Sequence, residues 1–110
     1  MEILDRYNAA LDARAAEYCQ AAAQAKARGD EREQSIALMQ ESMLGDMLKV
    51  LGRTELTARP GILQAQIERL EQRAKAAHSR EDYDAADRLQ RQAQTIRWAK
   101  DLLAGLEAEA

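Results

Sequence analysis

From Glu2 to Arg28 the chain contains no residue that breaks a helix, and such runs recur along its length. Only a few residues interrupt them: Gly29, Gly52, the pair Pro60-Gly61 and a polar stretch around Ser79. A sheet is excluded by what is missing. Val, Ile and Thr together number 9, and there is no Phe, so a pleated surface has little to cover it. Ala alone numbers 23 and Gln 10, and these residues, with Leu, Glu, Lys, Arg and Met, are the strong helix formers. The expectation is one all-α domain spanning residues 1–110.

The breakers divide the run into four helices. Gly29 suits a left-handed cap, and Asp30 followed three residues later by Glu33 reads as a capping box that opens a second helix. That helix runs to Leu51, where Gly52 stops it. Residues 53–61 form the longest irregular stretch, with Pro60-Gly61 as its strongest breaker. A third helix is expected from about Ile62 to Ala77. Ser79, with Asp82 three residues on, marks a new start, and the fourth helix covers about Glu81 to Leu106. Short links after the first and third helices favour two antiparallel hairpins, about residues 2–52 and 62–107. The fold expected is an antiparallel helical bundle of about four helices, closed within one chain or completed by dimerisation.

Apolar spacing supports this. Leu4, Tyr7, Leu11, Ala15, Tyr18, Ala22 and Ala25 recur at threes and fours. Leu63, Ile67, Leu70, Ala74 and Ala77 make a heptad seam, and Ala86, Leu89, Ala93, Ile96 and Leu103 make another. The second helix differs, with one row of Ile36, Met39, Met43, Met47 and Val50 beside another of Ala37, Leu44, Leu48 and Leu51. Together the rows cover about half the cylinder at ~100° per residue. Large apolar residues are scarce, so the core is thin, and an oligomer adds buried area.

Charge excludes several functions. Net charge is −3 with 16 basic and 19 acidic residues. Through residue 58 there are 7 basic and 10 acidic residues, and beyond it 9 of each, so no basic block exists. No stretch approaches the roughly 20 apolar residues needed to span a bilayer. The first residues lack the basic start and apolar run of a signal peptide. A single cysteine makes no internal disulfide. These features point to the cytoplasm, with no membrane partner.

Chemistry finds little support. Cys19 has no neighbouring base and reads as a small half-buried residue. The single histidine, His78, falls at the end of the third helix, where it complements exposed carbonyls and the helix dipole. No Glu-x-x-His pair exists for a bundle metal site, and Glu81, Asp82, Asp84 and Asp87 suit a helix N-terminus. No phosphate-cradling glycine motif occurs. The reading is a protein without enzymatic activity, cofactor or metal.

Nucleic acid is the alternative partner, through Arg69, Arg73, Arg88, Arg91 and Arg97. Interleaved acids and the lack of stacking aromatics weigh against it. The pieces Ile67-x-x-Leu70-Glu71, Tyr83-Asp84-x-Ala86 and Leu89 resemble the UVR helical hairpin of excision-repair proteins. That resemblance covers residues 67–96 and implies a hairpin that docks protein partners. Gln90-Arg91 stands where that family carries Arg-Asp, and Glu81 where it carries an apolar residue.

The apolar surplus is the most informative feature. Trp98 lies about 160–200° around the fourth helix from its seam, with Leu102 and Leu106 beside it, forming a second strip. Trp is enriched at binding hot spots. Trp98, Leu102 and Leu106, with Tyr7, Tyr18, Met39, Met43 and Met47, are the expected contacts to a protein partner or a second copy. The function expected is an interaction module, a small adaptor or inhibitor.

Overall fold

The structure, a computed structural model, describes residues 2–51 and 58–109; the side chains of Val50 and Leu51 are excluded. Among the described residues the protein is all-α, with four helices and no strand. These are α1 (Ile3–Ala27), α2 (Glu31–Leu51), α3 (Arg59–Ser79) and α4 (Tyr83–Glu109). Helix α1 packs on α2 and α3 on α4, giving two compact units, each an antiparallel hairpin. The expected stop at Gly52 and the connection through residue 57 lie outside the described residues.

One loop design closes both hairpins. In the first, the Asp30 N–H donates to the Ala25 carbonyl at 2.8 Å and the Gly29 N–H to Lys26 at 3.0 Å. In the second, Asp82 donates to Ala77 at 2.9 Å and Glu81 to His78 at 3.0 Å. Each is a Schellman closure, with its pivot residue left-handed: Gly29 at φ 74° and Glu81 at φ 63°. The aspartate after the pivot also caps the next helix. The Asp30 carboxylate accepts from the Glu33 N–H at 3.1 Å, and that of Asp82 from the Ala85 N–H at 3.2 Å. Asp30 therefore caps α2 as its spacing predicts, but its own N–H donates to Ala25, where a full capping box would have Glu33 reach back to it.

The identical loop imposes an identical register, since it fixes where each helix leaves and at what angle. Counted outward from the loops, Leu11 and Leu63, Ala22 and Ala74, and Ala25 and Ala77 occupy matching places, as do Leu44 and Ile96, and Met47 and Ala99. All are buried. The heptad seams are thus the cores. Every residue of the third-helix seam is buried, and in the fourth Ala86, Ala93, Ile96 and Leu103 are buried with Leu89 half-buried. In α2, Ile36 and Leu44, one from each apolar row, are fully buried.

Three boundaries depart from the sequence reading. Pro60 and Gly61 lie in the first turn of α3, not in the connection, because proline's fixed φ suits a first turn whose N–H groups need no helical partner. Ser79 opens nothing; it is the last residue of α3, and Asp82 caps α4. Helix α4 continues past Leu106 to Glu109, since Gly105 weakens a helix without ending it. Arg59, expected in the irregular stretch, is only 1% exposed.

Polar side chains tie α4 to α3. Lys100 Nζ donates to Gln64 Oε1 at 2.6 Å, and the Arg97 guanidinium pairs with Glu71. Thr95 is 1% exposed, and its hydroxyl donates to the Arg91 carbonyl one turn back at 2.9 Å.

Candidate interaction surfaces

The second strip of α4 broadens that helix's buried face. Thr95, Ala99 and Leu106 are buried there, so the face extends well beyond the seam. Trp98 and Leu102, at the strip's outer edge, are half-buried. An indole and an isobutyl group one turn apart thus remain partly in water on one side of α4.

The other expected contact residues separate by depth. Tyr7 is fully enclosed, Met47 is 7% exposed and Leu106 8%, so these three belong to the interior. A side chain without accessible surface stabilises its own fold and offers a partner little. Tyr18, Met39 and Met43 are half-buried. The Arg14 guanidinium lies over the Tyr18 ring, 5.5 Å from its centroid.

Among the described residues, two large apolar side chains are exposed, and both fall outside the expected set. Leu38 is 47% exposed on α2, and Tyr83, the first residue of α4, is 59% exposed. The signal for Leu38 was present: it belongs to neither α2 row, and ~100° per residue turns it away from both. Tyr83 sits against His78, ring centroids 5.1 Å apart and planes at 75°, an edge-to-face contact. His78 lies in the last turn of α3, as its position predicts, and is exposed. It borders an open groove of about 420 Å³ with Glu71, Ala74, Lys75, Ser79 and Gln90.

Cys19 is a free thiol and is exposed, not half-buried, because it lies to one side of the α1 seam.

The arginines divide by helix. On α4, Arg88 pairs with Asp84 at 2.9 Å and Arg91 with Asp87 at 3.4 Å. In both pairs the acid lies four residues N-terminal to the base, the favourable order. Arg97 pairs with Glu71 of α3. On α3, Arg69 and Arg73 are exposed and make no ion pair or hydrogen bond among the described residues. Asp84 and Asp87 therefore serve as ion-pair partners for this helix's own arginines.

No family model matches the chain, and neither a curated protein nor a solved structure is found to be similar to it. Among the described residues no helix is long and apolar enough to cross a membrane.

Proposed function

We propose that the chain is a non-enzymatic interaction module of the cytoplasm, a small adaptor or inhibitor that docks on a larger protein and self-associates. The observation that supports it most is the pair Trp98 and Leu102, half-exposed at the edge of a face that is otherwise buried. Large apolar groups next to a packed core and still touching water gain most when a second surface covers them. Trp supplies more such area than any other side chain and dominates measured interface energies.

The cytoplasmic assignment rests on the free, exposed Cys19 thiol, which a reducing compartment preserves. Nucleic acid is the weaker reading, because Arg88, Arg91 and Arg97 already have carboxylate partners.

The test is association of the full chain, followed by light scattering and by recovery of partners from native lysate, with Trp98→Ala beside the parent. Circular dichroism verifies that the variant remains helical. Unchanged oligomer size and partner recovery in a folded Trp98→Ala protein sinks the assignment.

A further inference from the structure

We propose that the solvent face of α3 is a docking strip for an acidic helix of a partner protein, recognised through Arg69, Arg73 and Arg80. The inference rests on the reading of the chain as an interaction module and gives it a second surface with its own chemistry. All three arginines are exposed. At ~100° and ~1.5 Å per residue they fall within about 40° of one another, in a column about 16 Å tall. None makes a side-chain hydrogen bond or ion pair among the described residues.

The contrast within the same hairpin gives that column its meaning. Arg88, Arg91 and Arg97 each have a carboxylate, and Lys100 has an amide oxygen. Among the described residues, the cations of α4 therefore have partners and the column of Arg69, Arg73 and Arg80 has none. Arg69 and Arg73 stand at i and i+4, where like charges destabilise a helix. Arg80, at the C-cap, is favoured by the helix dipole, but Arg69 and Arg73 are too far from the end to share that benefit. An outside anion relieves the repulsion.

The column also indicates the kind of anion. Within about 60° of it on α3 its exposed neighbours are Ala65, Gln72 and Ala76, which are neutral; the exposed acids adjoining it in sequence, Glu68, Glu81 and Asp82, make no ion pair with it among the described residues. Helix α3 itself carries no Phe, Tyr or Trp to stack a base, and residues 59–110 carry 9 basic and 9 acidic residues, so no broad positive field draws a polyanion. Recognition is local, by guanidinium forks that bind carboxylates at two points. Spacings of four and seven residues are helical spacings. A helix lying alongside, with Glu at i, i+4 and i+11, presents carboxylates at the same heights.

The probe is a fluorescent Ala-based helical peptide with Glu at i, i+4 and i+11, titrated with the full chain at low ionic strength and read by anisotropy. An isomer with three consecutive Glu and a short DNA duplex are run in parallel. The spaced peptide should bind more tightly than its isomer. The triple variant R69Q/R73Q/R80Q should weaken that binding at least tenfold, at roughly threefold or more per lost ion pair. The triple R88Q/R91Q/R97Q, which removes the same charge from α4, should change it less than threefold. Absence of binding, equal binding of the isomer or equal loss in both triples overturns the proposal. DNA binding that is tighter than the peptide's and lost in the α3 triple overturns it in favour of nucleic acid. Trp98→Ala should leave peptide binding intact, so failure of this strip and failure of the Trp98 reading are separately visible.

Discussion

Glu81 holds a left-handed backbone conformation that hairpin 1 gives to Gly29. A residue with a Cβ pays about 1–2 kcal/mol for that conformation, and glycine adopts it freely. Glu81→Gly should therefore raise stability by about 1 kcal/mol in urea denaturation, and Gly29→Ala should lower it by a similar amount. A Cβ at Gly29 would touch nothing, so the loss would be backbone strain alone. Removing the shared cap, by Asp30→Ala or Asp82→Ala, should cost about 1 kcal/mol each, because the Glu33 or Ala85 N–H loses its acceptor. The first of these loops was legible, since Gly29-Asp30 is the usual sequence of such a closure. The second was misread by a few residues: a glutamate at the pivot gives no warning of a left-handed turn, and Ser79 offers a decoy cap.

Whole helices were easier to read than their ends, because a seam repeats and a cap occurs once. The pattern that marked Leu63, Ile67, Leu70, Ala74 and Ala77 as one face also describes the buried face of α3. The same rule, applied in reverse, separates Leu38 from its neighbours. Ile67→Ala should cost about 2–4 kcal/mol as a buried large-to-small change, whereas Leu38→Ala, at 47% exposure, should stay within about 0.5 kcal/mol. Equal losses in thermal melts would mean that Leu38 is covered in solution. The helices also carry interior glycines without steric cause. An added Cβ at Gly45 or Gly105 meets nothing within 4 Å. Gly45→Ala and Gly105→Ala should each stabilise by roughly 0.5–1 kcal/mol, from glycine's entropic cost in a helix. A loss at either site would show that the missing methyl makes room for a partner. The buried Arg59 was not legible, because proline and glycine beside it argue for a loop and nothing in the local pattern asks for burial.

For the molecule as a whole, the sequence separated class from function. Composition was enough for the all-α class, since it left no material for a sheet, and the breakers Gly29, Gly52, Pro60-Gly61 and the stretch around Ser79 gave the count of four. The expected contact set mixed interior with edge, because apolar spacing reports which face a residue occupies and not how deeply it lies. Depth reduces the α4 set to Trp98 and Leu102, and the two proposed surfaces then differ in physics. Burial of an indole is driven by removing apolar area from water and is insensitive to added salt, whereas exposed guanidinium–carboxylate pairs weaken as the Debye length shrinks. Association through the Trp98 strip should therefore persist, or strengthen slightly, as salt is raised, and Trp98→Ala should weaken it by about 2 kcal/mol, on the order of thirtyfold in Kd. Trp98→Phe should recover part of that loss by restoring ring area without the indole N–H. Sedimentation equilibrium of the three proteins at low and high salt measures both effects. A Trp98-dependent complex that dissolves with salt would mean that charge, not the apolar strip, holds it together. Phe and Ala variants that behave alike would assign the contact to the indole N–H.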